Sequence, residues 1–367
     1  MTNPKKFIIS GGGSGGHIFP AIAIANALKQ EFDSCEILFI GAQDKMEMEK
    51  VPAAGFAIEG LWISGFQRSL SPRNLSFPFK LISSLLKARK IIKRFKPDMV
   101  IGVGGFASGP TLHQATKLGI PTIIQEQNSF PGVTNKLLAN KVDKICVAYQ
   151  NLDKFFPKEK IVFTGNPIRN EVVQIEGKKN EALKFFELSS DKPVVLVVGG
   201  SLGARTINEA IEANLNLFKE NSIQLIWQTG KNYFTKAEQA VLPFKQNGIV
   251  ATAFINKMDM AYAAADIVVS RAGAIAISEL CVVKKPTILI PSPFVAEDHQ
   301  TKNAIALEIN KAAILVKDSE QKEKLLTEII RLVNNPEEQQ LLVKNIKPLG
   351  VQHATDTIME VVKSILK

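Results

Sequence analysis

At 367 residues and 46% hydrophobic content, the chain is long enough for two domains that each bury a core. No apolar run approaches the roughly 18–20 residues of a membrane span, and the opening Met1-Thr2-Asn3-Pro4-Lys5-Lys6 leads straight into a strand, which predicts no secretory signal. The net charge of +10 is unevenly spread: no acidic residue lies between Glu59 and Asp98, while Arg68, Arg73, Lys80, Lys87, Arg89, Lys90, Lys93, Arg94 and Lys96 do. Such a block suits a polyanion, whether nucleic acid, anionic lipid headgroups or a diphosphate-bearing substrate.

The first element is an apolar strand, Phe7-Ile8-Ile9, followed by Gly11-Gly12-Gly13-Ser14-Gly15-Gly16-His17 and a helix from Ile18 to about Leu28. Strand, glycine turn and helix start together present backbone N–H groups to an anion. His17 at the positive end of the helix is expected to be a neutral imidazole beside a phosphorylated ligand. Gly11, Gly13 and Gly16 also satisfy the dinucleotide pattern G-x-G-x-x-G, but the second strand, Glu36–Ile40, runs into Gly41-Ala42 without a closing acid. Both a phosphate site and a tight structural turn fit this stretch.

After the basic block's loop comes a helix from about Pro78 to Phe95, with Leu81, Ile82, Leu85, Ala88, Ile92 and Phe95 on one face and Lys80, Ser84, Lys87 and Arg94 away from it. Leu75, Phe77 and Phe79, beside Arg68, Arg73, Lys80 and Lys87, are expected to form a membrane-contact surface. The strand Asp98–Ile101 ends in a second glycine turn, Gly102–Pro110, and Pro121–Gln125 ends in Glu126-Gln127-Asn128. Polar residues at a carboxyl strand end lie where open α/β sheets bind ligands. Strands at 144–148 and 160–163 come next, then Gly165-Asn166-Pro167-Ile168-Arg169.

A polar stretch up to Pro193 marks the entry to a second domain. Val194–Val198 repeats the opening pattern, with Gly199-Gly200-Ser201-Leu202-Gly203 as its turn, and further strands are read at 223–227, 249–253, 266–269 and 287–290. Ser270-Arg271-Ala272-Gly273-Ala274 feeds a helix carrying Ser278 and Glu279, and Gln300 opens another. Alternating strands and helices predict an α/β fold with parallel sheets, in two Rossmann-like halves. Domain limits of 1–165 and 166–353 are expected, with a terminal helix at 354–367.

Two glycine turns, one per domain, suit a nucleotide donor facing an acceptor better than a single dinucleotide. Cys35, Cys146 and Cys281 are scattered in or beside apolar segments and read as free thiols in a reducing compartment. The four histidines are dispersed, so no metal site is expected and no divalent cation is implied. A diphosphate would then rely on helix N-termini, hydroxyls and Arg, roles that suit Ser201 and Arg169. Glu279 is placed to accept hydrogen bonds from a ribose diol. The basic block lacks the interleaved aromatics of a nucleic-acid surface, so no nucleic-acid partner is expected.

Seven motifs, Gly12–His17, Gly104–Pro110, Glu126–Asn128, Gly165–Arg169, Gly199–Ala204, Ser270–Glu279 and Asp298–Ala304, occur in the order and spacing of the MurG family of peptidoglycan glycosyltransferases, and the chain resembles that family over nearly its full length. The resemblance implies a GT-B fold, with two Rossmann-like domains facing across a cleft and the C-terminal helix returning to the first. It implies an enzyme that transfers GlcNAc from UDP-GlcNAc to undecaprenyl-diphospho-MurNAc-pentapeptide with inversion. It also implies no tightly bound cofactor, and a peripheral place on the cytoplasmic face of the inner membrane among other cell-wall synthesis proteins. A diacylglycerol glycosyltransferase is the neighbouring alternative.

By motif position, the resemblance puts Ser14, Gly15, Gly16, Asn128, Arg169, Ser201, Ile255, Ala274, Ile275, Ala276, Ile277, Ser278, Glu279 and Gln300 at the donor. It puts Gly12, Gly13, Gly104 and Gly105 at the acceptor diphosphate. His17 is the family's usual candidate general base, and Glu126, acting through water, is a second. Ser14 stands where many relatives carry Thr, and Ile275 where Thr or Ser is frequent.

Overall fold

The computed structural model describes residues 4–65, 76–168, 170–200, 202–295 and 298–366. Arg68, Arg73, Leu75, Arg169 and Ser201, five of the residues singled out above, lie outside the described residues. The chain divides into two compact units, Met1–Ile168 with His353–Lys367, and Arg169–Gln352.

In the first unit, β1 (Lys5–Ser10), β2 (Cys35–Ala42), β3 (Ala57–Leu61), β4 (Met99–Gly102), β5 (Thr122–Glu126), β6 (Lys144–Val147) and β7 (Ile161–Phe163) form a seven-stranded sheet in the order 3-2-1-4-5-6-7. Every pairing is parallel, with Ser10 beside Gly102 and Ile40. Apolar strands such as Phe7-Ile8-Ile9 and Met99-Val100-Ile101 are buried on both faces, which is why they read as unbroken hydrophobic runs. The order reverses between β1 and β4, so the turns leaving these two strands lie side by side at the ligand-binding edge.

Five helices of this unit position or cover that edge: α1 (Gly15–Glu31), α2 (Glu47–Ala53), α3 (Phe77–Phe95), α4 (Ser108–Lys117) and α5 (Val133–Leu138). The terminal helix Ala354–Ile365 returns to this unit. Its Ile358, Met359, Val361 and Val362 join Ile18, Ala21, Ile24, Ala25 and Leu28 of α1 in one core.

The second unit repeats the plan with β8 (Val194–Val198), β9 (Gln224–Gln228), β10 (Ile249–Thr252), β11 (Ile267–Ser270), β12 (Thr287–Leu289) and β13 (Ile314–Leu315), in the order 10-9-8-11-12-13. Its reversal falls between β8 and β11, below Gly199–Gly203 and Ser270–Ala274. The two-residue β13 is too short to show as a hydrophobic run.

The packing of α3 differs from the expectation. Ser84, expected off the apolar face, is buried and donates to the Trp62 carbonyl at 3.0 Å, while Ile82, expected inside, is 57% exposed. The buried set is Ser84, Ala88, Ile91 and Ile92. A small hydroxyl that finds a backbone acceptor fits against the sheet more closely than a branched chain, and this rotates the helix outward at Ile82.

Ile358 is fully buried against α1. Ile358→Ala is expected to cost about 2–5 kcal/mol and to lower the denaturation midpoint, whereas an unchanged midpoint would mean that the terminal helix is not part of the core.

Candidate functional site

The first glycine turn is closed by three contacts within its own unit. At Gly105, with φ +87°, a Cβ would stand 2.3 Å from the Gly12 carbonyl oxygen, so the turns after β1 and β4 touch through bare backbone. Glu47, 1% exposed on α2, accepts from the Gly13 amide at 2.8 Å and the Ala42 amide at 2.9 Å. Ser108 Oγ donates to the Ser10 carbonyl.

Glu47 carries no distinguishing pattern in the sequence, being an acid two residues past a Lys in a polar turn. Its effect is direct: the Gly13 amide, expected at the acceptor diphosphate, is committed to a carboxylate.

Ser14 caps α1 from an extended conformation, and its carbonyl accepts from the His17 and Ile18 amides, both at 3.1 Å. Ser14 and Gly16 are exposed, and Gly15 and His17 are half-buried. The His17 ring lies over Gly104, and Nδ1 is 3.0 Å from Gln127 Oε1. His17, Gly12, Gly104, Gly105 and Gln127 are thereby gathered at one strand edge.

Glu126 has a different surrounding from the one expected of a base. It is 1% exposed, and Oε1 accepts from the Asn128 amide (3.0 Å) and Asn128 Nδ2 (3.1 Å). Oε2 accepts from the Gly132 amide (3.1 Å) and Asn135 Nδ2 (2.8 Å). A carboxylate whose two oxygens take four donors from residues 128–135 braces that segment.

In the second unit, the turn leaving β8 is equally tight. A Cβ at Gly203, φ +78°, would stand 2.0 Å from the Thr229 carbonyl oxygen. Gln228, buried at the end of β9, donates from Nε2 to the Gly200 carbonyl at 3.0 Å and accepts from the Ile255 amide at 2.9 Å. One amide side chain thus ties the glycine turn to the segment after β10.

The Ile255 side chain itself is packed in the core, as is that of Ile277, so these two can offer a donor only backbone atoms. On helix Ala274–Val283, Ala274 is buried while Ile275, Ala276 and Ser278 are half-buried, and Ser278 Oγ donates to the Ala274 carbonyl at 3.0 Å. Glu279 is buried and accepts from the Tyr262 hydroxyl at 3.1 Å. Gln300 Oε1 accepts from the Ser292 amide at 2.8 Å, fixing the loop ahead of its helix.

Arg271 supports this strand edge. Its guanidinium, 12% exposed, meets Asp318 at 2.5 Å, the Ile290 and Pro291 carbonyls at 3.1 Å and Thr206 Oγ1 at 2.9 Å. Asp318 also accepts from Thr206 at 2.9 Å. Through Nη1 and Nη2 the guanidinium joins three chain segments.

Burial pushes the Cys146 and Cys281 thiols up to about 12, which leaves them protonated and unreactive at neutral pH. Among the described residues, no three His, Cys, Asp or Glu side chains converge as a metal-ligand set does.

The expected membrane surface is partly rearranged. Phe77 packs against the core of the first unit. Lys80 Nζ donates to Ser64 Oγ at 3.1 Å over the Trp62 ring, and Lys87 Nζ to the Gly60 carbonyl at 2.7 Å. Both lysines find acceptors at the end of β3 or just after it, which holds them against the protein. Phe79 remains outside at 69% exposure, and with Ile82 and Leu86 (66%) it forms an apolar stripe on α3, continued by exposed Arg89, Lys90 and Lys93.

Two parallel sheets, each with a glycine turn at its switch point, define a pair of Rossmann-like units, and the comparisons place them among the glycosyltransferases. Residues 7–147 match the glycosyltransferase family 28 N-terminal domain, and 194–358 its C-terminal domain. The chain is 53% identical over 362 residues to the UDP-N-acetylglucosamine–N-acetylmuramyl-(pentapeptide) pyrophosphoryl-undecaprenol N-acetylglucosamine transferase of Flavobacterium psychrophilum, covering 98% of both chains. The enzyme of the same name from Porphyromonas gingivalis is 54% identical, over 100% of this chain and 97% of the relative. The crystal structure of Acinetobacter baumannii MurG superposes with a TM-score of 0.80 at 27% identity, covering 98% of this chain and 100% of that one. The chain belongs to glycosyltransferase family 28 and, within it, to the MurG transferases.

Glu126→Gln turns an amide N–H toward donors in the 126–135 loop. It is expected to cost about 1–3 kcal/mol of stability, read as a lower melting temperature. A full drop in kcat with unchanged melting would instead return Glu126 to the chemistry.

Proposed function

We propose that this chain transfers N-acetylglucosamine from UDP-N-acetylglucosamine to the muramyl 4-hydroxyl of undecaprenyl-diphospho-N-acetylmuramyl-pentapeptide, inverting the anomeric carbon. The observation that carries this reading is the likeness, along almost the whole chain, to transferases whose names state that donor and acceptor. His17 supplies the proton acceptor. As the hydroxyl oxygen forms its bond to the anomeric carbon, the hydroxyl proton passes to the imidazole, the carbon–oxygen bond to the diphosphate breaks, and UDP leaves with the electron pair.

The second unit takes the nucleotide. The turn Gly199–Gly203 meets the diphosphate with backbone amides and the Ser201 hydroxyl, Arg169 adds positive charge, and Glu279 releases Tyr262 to accept from the ribose. Gln300 and the backbone at Ile255 and 274–278 complete the nucleotide contacts. Ser14, Gly15, Gly16 and Asn128 act on the donor's sugar and phosphate side. Gly12, Gly104 and Gly105 form the floor for the acceptor diphosphate, with the Gly13 amide held by Glu47. The diphosphate needs no dedicated cation in this reading.

His17→Ala is expected to lower kcat by about 10²–10⁴ with little change in donor KM. Steady-state assay with labelled UDP-N-acetylglucosamine and the lipid acceptor reads both. An equal rise in donor KM would make His17 a binding residue.

No helix among the described residues is long and apolar enough to cross a membrane. The stripe Phe79, Ile82 and Leu86 with Arg89, Lys90 and Lys93 suits insertion at an anionic membrane surface from the cytoplasmic side, where the lipid acceptor is met peripherally. Phe79→Ser, Ile82→Ser and Leu86→Ser together should abolish sedimentation with phosphatidylglycerol vesicles while a water-soluble acceptor is still turned over. Vesicle binding that survives the triple change would remove this surface.

A further inference from the structure

We propose that Gln127 is the positioning residue that holds His17 in its Nδ1–H tautomer, through a buried chain of three side-chain amides ending at Asn166. The inference rests on the reading of His17 as proton acceptor and goes further, because it says which ring nitrogen is the base and what makes it so.

The chain begins at Gln127, 1% exposed at the carboxyl end of β5. Its Nε2 faces the Val103 carbonyl at 3.0 Å and the Gln125 carbonyl at 3.1 Å. Backbone carbonyl oxygens only accept, so the NH2 group must point at them, and Oε1 must point at His17. The contact of 3.0 Å between Gln127 Oε1 and His17 Nδ1 then has one consistent assignment, with Nδ1–H donating. A neutral imidazole with its proton on Nδ1 presents Nε2 as its basic nitrogen.

The next links lock Gln127 in place. Gln125 Oε1 also lies against Gln127 Nε2, whose two hydrogens are shared among three acceptors, and Gln125 Nε2 donates to Asn166 Oδ1 at 2.8 Å. Asn166 Nδ2 returns to the Gln127 carbonyl at 3.0 Å, which fixes the last amide by a backbone acceptor as well. Gln125 is fully buried and Asn166 is 2% exposed. Turning any one amide over would set oxygen against oxygen in a site with little water to compensate, so the orientation is set along the whole chain.

The amides are neutral, and this choice has a chemical consequence. A carboxylate in Gln127's position would stabilise the imidazolium and raise the histidine pKa. A carboxamide orients the ring just as firmly without adding charge beside the acceptor diphosphate.

The test uses the full-length enzyme with 15N-labelled histidine, whose four residues give few ring signals. The expected native result, above the His17 pKa, is an Nδ1–H pattern for His17, identified by its loss in His17→Ala. Gln127→Leu should move that signal toward the Nε2–H pattern and lower kcat at least tenfold, with UDP-N-acetylglucosamine KM within about twofold of native. Gln127→Glu retains an acceptor against Nδ1 and is expected to keep the Nδ1–H tautomer, to restore part of kcat, and to move the acid limb of the kcat–pH profile upward where the new carboxyl is ionised. Should Gln127→Leu not fold, the tautomer pattern of the native enzyme decides the proposal by itself.

An Nε2–H pattern in the native enzyme overturns the proposal, as does loss of the Nδ1–H pattern in Gln127→Glu or an unchanged pattern in folded Gln127→Leu. The reading of His17 as base fails separately, by His17→Ala retaining kcat, whatever the tautomer.

Discussion

The approach of two bare backbone turns at the β1/β4 switch point is the constraint on which the first unit's site depends. Parallel strands of opposite winding leave their ends side by side, and at Gly105 no side chain fits against the Gly12 backbone. With that contact made, α1 starts one residue after Ser14 and sets His17 over Gly104. Gln127, arriving on the next strand, then falls within hydrogen-bond reach of the ring. The second unit uses the same economy at Gly203 and Thr229, with Gln228 as the side chain that holds the turn.

Around both turns, most of the buried polar side chains serve the backbone. Glu47 binds two amides, Glu126 takes four donors, and Arg271 with Asp318 and Thr206 clips the ends of three segments. Each satisfies loop groups that a sheet edge leaves without ladder partners.

What could be read from residues alone depended on the strength of local pattern. The strands and their alternation with helices were legible because parallel strands buried on both faces are continuous runs such as Val194–Val198. The glycine turns were legible because close backbone approach demands glycine. Less visible were roles decided by contacts distant in sequence. The four donors that make Glu126 a brace come from residues 128–135 and leave no mark in the sequence. Gln125 and Asn166 lie 41 residues apart and carry no joint signature, yet they are one hydrogen-bonded unit. On α3 the period and most of the face were right, since Leu81, Ala88, Ile92 and Phe95 do pack on the core, and Ser84 and Ile82 changed sides because Ser84 found an acceptor in Trp62.

The terminal helix Ala354–Ile365 bears on how the molecule comes into being. It belongs to the core of the first unit, yet it is encoded after the whole of the second. On the ribosome, the apolar side of α1 emerges early and stays without its cover until residues 169–352 have been made. The second unit, by contrast, is one uninterrupted segment and can close on itself as soon as it has cleared the exit tunnel. The order of completion therefore inverts the order of synthesis: the half that is made first is finished last, and a chain stopped short of residue 354 leaves the half bearing His17 with an open core.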